Sequence, residues 1–193
     1  ILATNGIAVR AGGIATVTNT GDGVNTGRIS GSTFGITGGT VNVTGNTGLI
    51  EATAANGRAI AATGDVTVDN SGFIRADNLG GVAISGATVT VNNAGGKIFG
   101  SDLAIDGHAV TVSNSGDIVV NAGGAVRSDG TVTVTNTAGA RISGHTFGIK
   151  GPSVNVTSNA GRIESIGTDS TAIDATGGTA TVNNLTGGLI SGV

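Results

Sequence analysis

The sequence predicts an all-β fold, a right-handed three-sided parallel β-helix of about eight rungs. Three observations carry it. A motif close to VTVTN recurs along the whole chain, side-chain character inside it alternates with a period of two, and Gly and Asn punctuate it at constant places.

The first strand of each rung is flanked by Gly or Ala and centred on a branched residue: Val9, Ile36, Ile60, Ile84, Ile105, Val126, Ile149 and Ile173. From Val9 to Ile173 the mean step is about 23 residues. The second strand is ATVTN (15–19), VNVTGN (41–46), VTVDN (66–70), VTVNN (89–93), VTVSN (110–114), VTVTN (132–136), VNVTSN (154–159) and ATVNN (180–184). A short Gly turn follows, then a third strand centred on Ile29, Ile50, Ile74, Ile98, Ile118, Ile142, Ile163 and Ile190. Val, Ile and Thr suit a pleated, half-buried surface, whereas a helix would be penalised by Gly and β-branched residues in every segment. Three strands in constant order imply a three-sided coil, each strand pairing in parallel with its equivalent one rung away, ~4.8 Å along the axis. Right-handedness follows from the strong preference for right-handed parallel crossovers.

The columns this register creates are uniform. Val17, Val43, Val68, Val91, Val112, Val134, Val156 and Val182 should point inward with the two isoleucine-rich columns. Asn19, Asn46, Asn70, Asn93, Asn114, Asn136, Asn159 and Asn184 stand where the chain leaves the second strand. Stacked amides can bond rung to rung, and Asn tolerates the left-handed backbone that corners need. A longer period lies above the rung: 28–52 matches 141–165 at an offset of about 113 residues, so that five rungs form a duplicated block. The chain is therefore read as one β-helix segment, 1–193, of a longer array. Ile1 is not a Met, and both ends are expected to be cut from something longer.

Composition narrows the function classes. With 37 Gly but no G-X-Y period, collagen is excluded, and 38% hydrophobic residues argue against disorder. A net charge of −3 with no basic run excludes a nucleic-acid footprint. No apolar run reaches the ~18 residues of a membrane span. The absence of Cys removes disulfide and thiol chemistry.

The repeated V-N/T-N-x-G-x-I followed by a G/A-I strand resembles the passenger domains of Gram-negative autotransporters and related filamentous-haemagglutinin-type adhesins. The resemblance covers essentially the whole chain. It implies secretion, an extracellular place on the bacterial outer surface, and a role as adhesin shaft, stalk or matrix element. The expected partners are neighbouring repeats or further copies end to end, and a host or cell-surface receptor or glycan.

Enzymes of similar fold cut polysaccharides with clustered carboxylates, so Asp102, Asp106, Glu51 and Glu164 are the acid candidates. Cross-rung pairing explains them better. Asp106, Arg127, Lys150 and Asp174 follow one another in a column, Glu51 meets Arg75, and Lys97, Asp117 and Arg141 form a third series. Sugar sites favour aromatic faces, and Trp and Tyr are absent. His108 and His145 stand in different columns without partners at ligand spacing, so no metal and no cofactor is expected. TGDGVNTG (20–27) is faintly similar to calcium-binding Gly/Asp turns but occurs once, and a plain corner insertion is preferred. Thr40-Asn42-Thr44, Thr88-Thr90-Asn92 and Thr131-Thr133-Thr135 form a flat hydroxyl face of the kind seen on ice-binding β-helices, interrupted by Asp65 and Asp69.

One column is read as a candidate interface. The residue before each first-strand core position is always small: Ala8, Gly35, Ala59, Ala83, Ala104, Ala125, Gly148 and Ala172. Period two places it outward, where it is either a sterically crowded corner or a smooth stripe against which a partner packs. The expected function is a non-catalytic structural segment of a secreted surface protein. The alternatives are a carbohydrate-active or carbohydrate-binding β-helix, or an ice-binding one.

Overall fold

A computed structural model describes residues 1–22 and 26–193. They contain strands and turns and no helix, so no helix is long and apolar enough to cross a membrane. The strands pair in parallel with their equivalents one turn away, stacking into a β-solenoid of about eight turns. The third strands, from Leu2–Ala3 to Leu189–Ser191, make a nine-stranded sheet. In register, Ile29, Ile50, Ile74, Ile98, Ile118, Ile142, Ile163 and Ile190 are direct neighbours.

The first and second sides belong to one thirteen-stranded sheet. In the middle rungs the chain passes between them without leaving the ladder, as Val82–Asn93, Leu103–Asn114 and Gly124–Asn136. Glycine makes this bend possible. A Cβ on Gly86 would lie 2.7 Å from the Val66 side chain, and one on Gly107 2.9 Å from the Val89 side chain.

The inward columns fill the coil. Val43, Val68, Val91, Val112, Val134 and Val156 are buried, as are the third-strand isoleucines from Ile29 to Ile163. The end rungs depart from the expected uniform burial: Val17 and Ile190 are only partly buried, and Val182 is 41% exposed, because a rung stacks on only one side of them. Burial on both sides is what closes a solenoid core, and terminal repeats have it on one side only.

The asparagine column forms an unbroken ladder. Each amide Nδ2 donates to the Oδ1 of the next, from Asn19 to Asn46 and so on to Asn184, at 2.7–2.9 Å. The same amides donate to turn carbonyls, such as Asn93 to Gly96 at 2.9 Å. All but Asn184 are buried. A buried amide is tolerated only when its groups are satisfied, and here the ladder does so while tying each corner to the next. The left-handed backbone is not theirs, contrary to the sequence expectation. It falls on glycines of the turns, such as Gly95 and Gly139, while the non-glycine cases among the described residues are Asn56 and Asp169.

Candidate functional site

The small-residue column is not a surface. Ala59, Ala83, Ala104 and Ala125 have no exposed area, Gly35, Gly148 and Ala172 are buried, and Ala8 on the end rung is half-buried. Strict alternation fails at this point: Ala83, Ile84 and Ser85 are buried in succession. The first strand bends there, turning the small residue toward the third strand of its own rung. A Cβ on Gly35 would lie 2.6 Å from the Ala59 carbonyl, 2.9 Å from the Glu51 carbonyl and 3.2 Å from the Ile50 side chain. Gly148 meets the same arrangement 113 residues on, against Ala172, Glu164 and Ile163. The column is small because two backbones approach closely, so the candidate interface at these eight positions is withdrawn.

Two of the four acid candidates are buried instead of poised. Glu51 is 1% exposed and sits in register between Ser30 and Arg75. Arg28 donates to it from the preceding rung, Nε at 2.8 Å, and Arg75 from the following one at 2.8 Å. Glu164 is 3% exposed and takes Arg141 and Arg162, each at 2.6 Å. The two sites use different second arginines. Ser191 stands where Arg75 would, and Arg162 occupies the place that Leu49 holds beside Glu51. Burial pushes both carboxyls up, but hydrogen bonds outweigh it and hold them below the ordinary value. The bonds come from Ser30, Arg28 and Arg75 in one case, and from Arg141 and Arg162 in the other. A carboxylate so saturated with donors is a clamp between rungs, not a free base.

The remaining acids are mostly paired. Arg127 grips Asp106 with two bonds of 2.9 Å, and these hold its guanidinium above the ordinary value. Lys150 reaches Asp174 at 2.7 Å, and this bond keeps the Asp174 carboxyl low. The third expected series does not close: Lys97, Asp117 and Arg141 are register neighbours, yet Arg141 turns to Glu164 and Lys97 lies over the Phe73 ring, 5.6 Å from its centre. Asp102 is exposed at the turn before its strand.

His108 meets Asp129 at 2.7 Å, both exposed, beside a β-bulge where the register shifts after Gly107. His145 is exposed in a turn. No group of three or more His, Asp or Glu among the described residues could hold a metal ion. The centre of the TGDGVNTG turn, 23–25, lies outside the described residues.

The hydroxyl face is in register on the second side. Thr67, Thr90, Thr111 and Thr133 are consecutive neighbours, flanked by Asn42 and Asn155. Thr18 and Thr44 are bonded at 2.8 Å, as are Thr135 and Thr157. Asp69 is drawn into the pattern by Asn92, which donates to it at 3.2 Å.

Sequence reasoning missed an aromatic patch on the third side. Phe73 and Phe99 stand outward on adjacent rungs, half-buried, with Lys97, Asp77 and Asn121 around them. The signal was present: in FIRA (73–76) and KIFG (97–100), the phenylalanine lies one residue from the inward isoleucine and so faces out. No protein-family model, curated protein or solved structure matches the chain.

Proposed function

We propose that this chain is a load-carrying, non-catalytic stretch of rod in a secreted bacterial surface protein, the shaft of an adhesin, a stalk or a filament element. The observation that supports it best is the unbroken asparagine ladder running beside continuous valine and isoleucine columns. Its conserved geometry at every turn serves stacking, and stacking produces length: each rung adds ~4.8 Å along one axis. The buried arginine–glutamate clamps and the surface pairs act in the same sense, fixing register between successive rungs.

On this reading the end rungs continue into further rungs, from the same chain or from another copy. The partially uncovered Val182, Leu185 and Leu189 are the surfaces those rungs would cover. The test is electron microscopy of the parent polypeptide, with antibody labelling of intact cells. The expected result is a thin surface rod whose length scales with rung number. A compact parent particle, or a chain retained inside the cell, would refute the proposal.

A further inference from the structure

The outward columns of the third side are wholly polar on three rungs, with Arg28 and Ser30, Arg141 and Ser143, and Arg162 and Glu164, and they pair Leu49 with Glu51 on a fourth. Between the two glutamate clamps the character changes. Phe73 pairs in register with Lys97, and Arg75 with Phe99, so the two rings lie on a diagonal across neighbouring rungs. Val119 continues the apolar strip on the next rung. The chain has only four phenylalanines, and Ile74 and Ile98 already fill the core beneath this strip. The rings therefore add little to the core while remaining half-exposed.

Their surroundings divide the labour. Arg75 and Lys97 lie over Phe73 at 5.5 and 5.6 Å, so that ring is a support holding two cations in place. Arg75 is further occupied by Glu51 and by Asp77 at 3.2 Å. Lys97 is exposed and forms no ion pair among the described residues. The Asn121 amide is exposed without a hydrogen bond among them. Among the described residues no cation lies over Phe99. An open ring, an ammonium that rests on Phe73 with no ion pair, and an amide with no hydrogen bond among the described residues thus face one shallow depression, together with Asp77, whose charge Arg75 offsets.

We propose that this patch binds an acidic saccharide chain, lying along the rod axis. Phe99 would stack on the C–H face of a sugar ring, Lys97 would pair with a sugar carboxylate, and Asn121 would bond ring hydroxyls. The three groups match the apolar face, the charge and the hydroxyls that such a sugar combines. A shallow, open site suits an extended polymer better than a small molecule, which is usually held in a deeper concavity. The site goes beyond the rod function and does not depend on it.

Isothermal titration calorimetry of the whole chain with a galacturonic acid hexamer tests the proposal, with the methyl-esterified hexamer and a glutamate peptide of similar charge as comparisons. The acidic hexamer should bind in preference to both. Phe99→Ala should weaken binding about tenfold, and Lys97→Gln should abolish the preference for acid over ester. Circular dichroism should show both variants folded. Lys150→Gln, on another side and in an ion pair with Asp174, should bind as the wild type does. No binding of the acidic hexamer, unchanged affinity in Phe99→Ala, or a glutamate peptide bound as tightly as the sugar would each overturn the proposal.

Discussion

Glu51 shows how much of a solenoid's specificity can rest on one buried charge. Its two arginines come from the rungs on either side, so removing the carboxylate unties two interfaces at once. Glu51→Gln should cost about 1–3 kcal/mol, the scale of hydrogen bonds to a charged group, moderated because both arginines are partly exposed. Urea denaturation measures it. The pH dependence follows from the lowered carboxyls. Above the unfolded value of 4.5 both states are ionised, and the full contribution of Glu51 and Glu164 is present. Below 4.5 the unfolded chain takes up protons that the folded chain refuses, so stability falls until the lowered folded value is passed. Thermal melts should thus be flat for these groups from neutral pH to about 4.5 and decline below it, more gently in Glu51→Gln. Ala104 makes the complementary point about volume. It has no exposed area, so Ala104→Arg should cost several kcal/mol or prevent folding, through overpacking and a buried unpaired charge. An Ala104→Arg variant as stable as the wild type would return this column to the surface.

At the scale of the strand and its turn, Asn114 stands mid-ladder, accepting from Asn93 and donating to Asn136, to the Gly116 carbonyl and to Arg141. Asn114→Leu should cost about 2–4 kcal/mol, since it removes the amide donor from the buried Asn136 Oδ1 and from two turn carbonyls and takes one of the acceptors from Asn93 Nδ2. Asn184→Leu, on the exposed end of the ladder, should stay within about 1 kcal/mol. Equal effects in urea titrations would mean that the ladder is not what holds the corners. The strands, their order and the asparagine ladder were all legible in the sequence, because period two and repeated spacing report directly on the pleat and the register. What period two cannot report is a bend. It placed Ala83 outward where the strand turns, and it separated first and second sides that Val82–Asn93 joins without a break. It also said nothing of side chains that lie flat along a face. Glu51 does point away from the core and meets Arg75 as the sequence predicts, but it is buried because Arg28, out of register on the preceding rung, also reaches across it, and that appears only once the rungs are stacked. The Phe73 and Phe99 patch was hidden for another reason: the two rings stand in different outward columns, each paired in register with a cation, so no single column reads as aromatic.

For the molecule as a whole, stability is a sum of rungs and of the contacts between them, so position along the axis decides the weight of a substitution. Ile118, with no exposed area, has rungs on both sides, and Ile118→Asp should cost several kcal/mol and lower the cooperativity of unfolding. Val182→Asp should cost less than about 1 kcal/mol in the isolated chain, where the position is already 41% exposed. Where another rung covers Val182, as the proposed rod requires, the same substitution should become as damaging as Ile118→Asp. Comparing the two denaturation profiles decides whether the array continues. The asparagine ladder imposes one further condition on anything that extends the rod. Every amide from Asn19 through to Asn159 donates toward the C-terminal rung, and Asn184 accepts the last of these bonds. The small dipoles therefore add head to tail, and the rod has a chemical polarity: one pole offers an amide oxygen, the other an amide hydrogen. Two rods meeting at like poles would set acceptor against acceptor or donor against donor, so junctions must be one-way, and a fibre built from them would have distinguishable ends.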